Sequence, residues 1–534
     1  MIFVDLDDCP NQCLSISVVS HCRRDHHYFS QHRRTRQRTM WLIITCTLVT
    51  TLYATTITIA NVSLAQIQGA LSASPDQVAW VVTANLIATA VTIPLAGWIS
   101  ARFGRRRSMI WGVLGFGATT LMCGFSNSLA ELVFWRVLQS AFGSPLTPIA
   151  HSVVIDEFTG DRRARATAIF TTGVSIVPTI APMVGGYVSE EISWRWVFFI
   201  LIPIAVIALA GLLMFVKPDP PRENQQKLDW IGFLSLSMAI ACVQLMLDRG
   251  EREEWFGSIE IILECAGALL FGWIFLAHSF TTDRPFLDPR LLLERNFALG
   301  IGISTIFGML FVTPMVMMPA MLQQLRDAPE FTVGALIAIR GIGTLISQIM
   351  MIAFASRWDP RFLFLIGFGT HTYAGLEMAG FDMNVSLSEV SWMLVIQGFG
   401  VGCLWVPMTL VTVSNFDPRR SAEGMAWFHF VRSVGSSFYI SASFVVIFHT
   451  QKMSYSELVQ WINPYGERLS LGGVVAGFNM ESTAGMMGIV GEVASQATNI
   501  GYINVFNLFL WTSLLVYPLV ALIAWPPRGH RPKT

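Results

Sequence analysis

From residue 41 to residue 524 the chain repeatedly enters runs of about 20 mostly apolar residues. At about 1.5 Å of rise per residue, a helix of that length crosses a hydrocarbon layer about 30 Å thick. Fourteen runs meet this requirement, at 41–63, 78–100, 108–126, 132–155, 166–188, 196–216, 230–248, 259–279, 297–323, 333–354, 362–380, 391–414, 425–448 and 501–524. Backbone N–H and C=O groups in lipid must pair within their own segment, and the alternating ten-residue strands of a membrane barrel are missing from the sequence. The chain therefore reads as an all-α, multi-pass membrane protein whose immediate surroundings are the lipid bilayer. Composition agrees: 53% of residues are hydrophobic, 13% are charged and the mean hydropathy is +0.54. A soluble chain carries about 25% charged residues.

The 35 basic and 35 acidic residues cancel, so bulk charge offers nothing to nucleic acid. Their distribution is more informative. Of the Lys and Arg residues, 26 fall in the tails and alternate connections, 6 in the other connections, and Arg136, Arg340 and Arg432 lie inside apolar runs. Positive charge is retained in the cytosol during insertion, so both termini are expected to be cytoplasmic and the long 449–500 segment is expected to be the largest outer loop. Residues 1–40, with six arginines and no long apolar core, are not a cleavable signal peptide. They read as a basic cytoplasmic tail or, with Met40 standing directly before the first run, as a start-site artefact, and residues 525–534 read as a second cytoplasmic tail. Cys46, Cys123, Cys242, Cys265 and Cys403 lie in apolar runs, where a thiol packs as a small hydrophobe, so no disulfide framework is expected. The Cys9 to Cys13 pair lacks the second pair that a metal site needs.

Four local patterns carry the functional signal. Residues 97–107 read GWISARFGRRR: Gly97 permits close helix approach, Gly104 a tight turn, and Arg102, Arg105, Arg106 and Arg107 form a cationic cluster. Arg136 and Gln139, three apart in the fourth run, share a helical face, and an embedded guanidinium is costly unless it meets a partner or a wet cavity. In the fifth run Pro178, Pro182, Gly185 and Gly186 predict a kinked, closely packed helix. Residues 194–203 read WRWVFFILIP, an aromatic belt at a membrane interface.

These patterns resemble the signature loop, the second motif and the antiporter motif of the major facilitator superfamily, and the 194–203 run is similar to that of its fourteen-spanner drug:proton antiporters of the QacA/EmrB type. Ala101 replaces the usual acidic residue of the signature loop, Ser140 a glycine of the second motif, and Ala181 the glycine before Pro182. The likeness extends to 59–62, 245–250 and 340–343, and in the seventh run it is closest to the EmrB branch. It implies a major facilitator fold: a six-helix bundle at 41–216, two extra transmembrane helices at 217–296, and a second six-helix bundle at 297–524. It also implies proton-coupled efflux of amphipathic toxic compounds by alternating access from an inner membrane. A periplasmic membrane-fusion adaptor and an outer-membrane channel follow from the same likeness. A dedicated exporter or importer of one metabolite or siderophore is the alternative within this fold, and a non-transporting sensor a third reading.

Enzymatic function is not expected: the sequence holds no P-loop, no metal-spaced Cys/His set and no serine elbow, so no cofactor is implied and ATP hydrolysis is excluded as the drive. Coupling to protons requires an embedded titratable group. Thr56 stands where the family places an acidic residue in the first helix, so another side chain must serve. The candidates for coupling or for the cavity wall are Glu264, Arg340, His371, Glu377, His429 and Arg432, with Asp248 at a helix end.

Overall fold

The computed structural model describes residues 38–60, 63–158, 161–218, 227–250, 253–282, 285–354, 358–412, 421–462 and 483–523. Most of the 1–40 tail, the 525–534 tail, Asn61, Val62 and the centre of the 449–500 segment lie outside the described residues. Among the described residues there is no strand, and each of the fourteen apolar runs is occupied by a helix or by two helical pieces.

In chain order these are α1 (Arg38–Ala60), α2a (Pro75–Thr92) and α2b (Leu95–Phe103), α3 (Arg105–Phe125), α4a (Leu129–Gly143) and α4b (Leu146–Glu157), and α5 (Asp161–Glu191). There follow α6 (Leu201–Phe215), α7 (Trp230–Arg249), α8 (Ile259–Thr281), α9 (Arg295–Arg326) and α10 (Glu330–Phe354). The last four are α11 (Pro360–Ala379), α12 (Leu387–Thr412), α13 (Ser421–Gln460) and α14 (Thr483–Leu514). Among the described residues eleven helices are individually long and apolar enough to cross a membrane, and the α2a–α2b pair, bent by 53°, makes up to twelve. The other two runs fall short for local reasons. The fourth is divided at Ser144-Pro145, and α11 dilutes its apolar surface with Thr370, His371, Thr372 and Glu377.

Helix boundaries follow local chemistry. Ser74 and Gln77 form a capping box at α2a, and Ser128 caps α4a by accepting from the Glu131 N–H. Pro94 and Pro145 start the second halves of the two broken helices, where a missing N–H is tolerated. Pro178 and Pro182 do not divide α5, which runs unbroken for 31 residues. The 449–500 segment, expected to be a loop, differs more. α13 continues to Gln460 and α14 begins at Thr483, so the helices extend well beyond the 425–448 and 501–524 runs. Residues 449–460 are polar and 483–500 are largely apolar, with Ile489, Val490 and Val493, and neither flank contains a proline to interrupt helical pairing.

Two apolar cores organise the chain. One joins α1, α3, α4b, α5 and α6 around Leu52, Phe116 and Ile149. The other joins α9 to α14 around Phe307, Phe368, Phe428 and Phe506, and admits Ile93 and Ile155 from the first half where the two meet. α7 packs on α2a, α8 and α13, while α8 presents Leu263, Leu269 and Trp273 outward, each about two-thirds or more exposed, as a lipid-facing surface.

Candidate functional site

The interior between the bundles is polar, although it is built from apolar segments. On the amino-terminal side Arg136 is 1% exposed; its Nη1 donates to Gln139 Oε1 at 2.8 Å, and Gln139 Nε2 donates to Thr120 Oγ1 at 2.6 Å. The 3.6-residue turn brings Arg136 and Gln139 onto one face, as their spacing predicts. Asn85 on α2a donates to Ser140 Oγ and, at 3.4 Å, to the Arg136 carbonyl, while Thr92 and Ser144 pair at 2.6 Å where both helices break. Ser140, which departs from the family's glycine, thus supplies a hydrogen bond between helices.

The carboxy-terminal bundle holds a second guanidinium in the same manner. Arg340 Nε donates to Gln397 Oε1, its Nη2 donates to the Phe311 carbonyl at 2.9 Å, and its Cζ lies 4.9 Å from the centre of the Phe311 ring. His371 Nδ1 donates to the Gly367 carbonyl at 2.7 Å, which leaves Nε2 to accept from Gln397 Nε2 at 3.3 Å. Each bundle therefore holds one buried arginine against a glutamine amide. A small crevice between α9 and α10, lined by Met318, Leu336, Ile337 and Leu394, opens beside Arg340.

A third cationic group joins the halves. Arg432 on α13 stacks over Trp405 at 5.1 Å and reaches His429 Nδ1 at 3.4 Å, and His429 Nε2 meets His151 Nδ1 on α4b at 3.2 Å. Tyr53 on α1 lies within electrostatic reach of both Arg136 and Arg432. Among the described residues Arg136, Arg340 and Arg432 form no ion pair with a carboxylate, and their polar contacts are to amide, carbonyl and imidazole groups.

The sequence-selected loop and helix motifs frame this interior. Gly104, at φ 85°, ends α2b and starts α3, a conformation that β-carbon-bearing residues rarely adopt. Arg105 pairs with Asp156 of α4b at 2.6 Å, so an acidic partner comes from another helix although Ala101 offers none. Arg106 Nη2 donates to the Leu213 carbonyl at 2.7 Å, and Arg102 packs over Trp98 and Phe103 at 5.8 Å. A β-carbon on Gly97 would lie 3.6 Å from Glu423 Cα of α13, marking the approach of the two halves at this basic end.

α5 and α10 run against each other along most of their length. Gln348 Nε2 donates to Ser175 Oγ at 2.9 Å, and the Phe331 N–H donates to Glu190 Oε1 at 3.2 Å. Between these points a β-carbon on Gly341 would lie 1.7 Å from Thr179 Cγ2, and one on Gly334 would lie 2.7 Å from the Pro182 carbonyl oxygen. Gly185 receives Ile59 of α1 at 2.4 Å from its would-be β-carbon, and Gly186 is buried beside it. Pro178 is half-buried and Pro182 buried, so the motif face of α5 lies in helix contacts.

Two sequence candidates stand apart from these embedded arginines. Glu377 is exposed near the end of α11, hydrogen-bonded to Tyr373, and Glu264 sits half-buried on α8 in the field of Arg249, Glu260 and Glu253. Asp248 accepts from Gln244 Nε2 at 3.0 Å and from Ser441 Oγ, and Ser437 donates to Gln244 Oε1 at 2.6 Å, which ties α7 to α13. His151, Asn85, Gln244 and Gln397 were not singled out in the sequence. Each is a polar residue at a buried helical position, a signal that a search for formal charge passes over.

Comparison with known proteins agrees with this architecture. Residues 46–440 match the model of the Major Facilitator Superfamily. The chain is 30% identical over 477 residues to the multidrug export protein EmrB of Escherichia coli K12, covering 88% of this chain and 92% of that protein. It is 26% identical to the fatty acid resistance protein FarB of Neisseria gonorrhoeae, over 91% of this chain and 96% of the other. Among solved structures, the human organic anion transporter MFSD10 superposes with a TM-score of 0.55 at 14% identity, covering 89% of this chain and 99% of that one. The proton:xylose symporter XylE superposes with a TM-score of 0.54 at 15% identity, covering 86% and 95%. With its helical bundles, its buried arginines and these matches in hand, the chain belongs to the Major Facilitator Superfamily, in the family of EmrB-type proteins.

Proposed function

We propose that this protein is a proton-coupled exporter of amphipathic toxic compounds, working by alternating access of its two bundles from a cell inner membrane. The observation that carries the reading is the set of arginines embedded in the two bundles. Buried Arg136 and Arg340 and half-buried Arg432, none of them ion-paired with a carboxylate among the described residues, stand in helix walls that also carry aromatic and thioether side chains such as Phe311, Trp405 and Met318. Such a wall offers adaptable apolar contact with a few fixed donors, and its positive charge favours amphiphiles bearing an anionic or electron-rich group. The excess of Lys and Arg at one end supports placing that end, with both termini, in the cytoplasm.

Kinship with EmrB supports a periplasmic membrane-fusion adaptor and an outer-membrane channel as partners, with α13 and α14, which extend beyond the 425–448 and 501–524 runs, as the elements nearest to them. The test is expression in a host stripped of its own efflux pumps, followed by growth on several unrelated dyes, detergents and lipophilic acids. Resistance to several of them, abolished in Arg136→Ala, is expected. Resistance to none would overturn the reading in favour of a dedicated carrier.

A further inference from the structure

The contact between His151 and His429 joins two bundles that must separate during transport, and its hydrogen bonds have only one consistent direction. A guanidinium can only donate, so Arg432 Nη2, 3.4 Å away, requires His429 Nδ1 to be an acceptor. Neutral His429 then carries its proton on Nε2, which donates to His151 Nδ1 at 3.2 Å. Neutral His151 must in turn carry its proton on Nε2, and that atom is buried without a partner. The chain of donors runs Arg432 to His429 to His151, crosses from α13 to α4b, and ends on an unsatisfied N–H.

A single added proton cannot be accommodated without loss. If His429 is protonated, its Nδ1–H confronts the Arg432 guanidinium. If His151 is protonated, its Nδ1–H confronts the Nε2–H of His429, and turning His429 to the other tautomer only moves the conflict back to Arg432. One link must break in every case, and the excess charge then lies beside the Arg432 guanidinium, which adds repulsion across the seam.

We propose that the His151–His429 pair is the proton-operated latch of this carrier: neutral, it holds the bundles together at the basic end, and a bound proton releases them there. The role in coupling rests on the antiport reading given above; the latch itself does not. In an exporter that end opens to the cytoplasm, so a proton taken up from outside would break the contact, and its loss to the cytoplasm would let the pair re-form as the drug-loaded carrier turns outward. Only a proton moves, from water on one side to water on the other by way of an imidazole nitrogen.

Few other groups act on the pair. Arg432 is the charged neighbour of both imidazoles, Tyr53 of α1 acts on Arg432, and Phe170 of α5 stacks on His151 at 5.1 Å without charge. Farther along the same helices Asp156 is paired with Arg105, Glu423 lies near Gly97, and Asp248 of α7 is bound to Ser441. From α9, Ser304 faces the Phe428 carbonyl.

The experiment measures the distance between spin labels on Phe103→Cys and Phe362→Cys, two exposed positions at the basic end of the two bundles, in detergent-purified full-length protein with Cys9, Cys13, Cys22, Cys242 and Cys265 replaced by Ser. Acidification from about pH 8 to about pH 5, the span over which imidazoles charge, should shift the distribution to longer distances. His429→Gln, and separately His151→Gln, should abolish the shift. No shift in the parent protein, or an undiminished shift in both variants, would overturn the latch. Dye transport in vesicles is read in parallel. Parent protein that shows the shift but moves no dye against its gradient contradicts the antiport reading alone, whereas variants that still concentrate dye with the parent pH profile contradict the latch. Should a glutamine variant unfold, His429→Asn and the parent titration give the same readout.

Discussion

At the level of single residues, polar groups inside this lipid-facing fold are satisfied by one another. Arg340 uses two differently directed N–H groups, one toward Gln397 and one toward the Phe311 carbonyl. A lysine supplies a point charge but not that fork. Arg340→Lys should therefore lower the initial rate of dye efflux, normalised to the amount of protein in the membrane, by about tenfold or more, with Gln397→Leu producing a similar loss. Arg136→Ala leaves Gln139 Oε1 buried without its donor and should cost about 1–3 kcal/mol of stability, read as a lower thermal midpoint of the purified protein. Arg136, Arg340, His429 and Arg432 were all legible as embedded polar residues, because a charged group in an apolar run stands out against the cost of placing it there. His151 was not. Its partner lies 278 positions away, and no local period announces a contact made between helices from opposite halves.

At the scale of helices, packing is set by small residues whose absent side chains admit a neighbour. Gly341→Val places branched carbons where Thr179 already sits, 1.7 Å from the would-be β-carbon. Overpacking of this kind costs about 1–3 kcal/mol, so the variant should melt at a lower temperature and transport poorly. Thr179→Ala in the same chain should recover part of both losses, and failure of that rescue would mean that α5 and α10 do not meet at this point. Gly104→Ala tests a different cause. The strain of a positive φ should cost about 1–3 kcal/mol in thermal stability. The α5 motif was legible as a packing face, and the helix continues through both of its prolines. The reverse holds for the second and fourth runs. Apolar content alone described them as single spans, and each is divided at a proline whose local effect hydropathy does not register.

At the scale of the whole molecule, the fourteen apolar runs and the motif likeness were enough to read the class, because a lipid solvent permits so few backbone solutions. What the sequence could not supply was the relation between halves: which polar residues of one bundle meet those of the other, and which lie on the periphery. Glu264 and Glu377 looked as embedded as Arg136 by position, but the first faces the outer helix pair and the second a helix end. We propose that movement of an amphipathic compound between the two bundles is driven by protons moving the other way. It is tested most directly with purified protein in sealed liposomes bearing an imposed pH gradient, following a fluorescent amphiphile and internal pH together. The compound should accumulate on the acidic side while protons leave that side, and both fluxes should stop when an ionophore equalises pH. Continued accumulation after the gradient is gone would contradict the account.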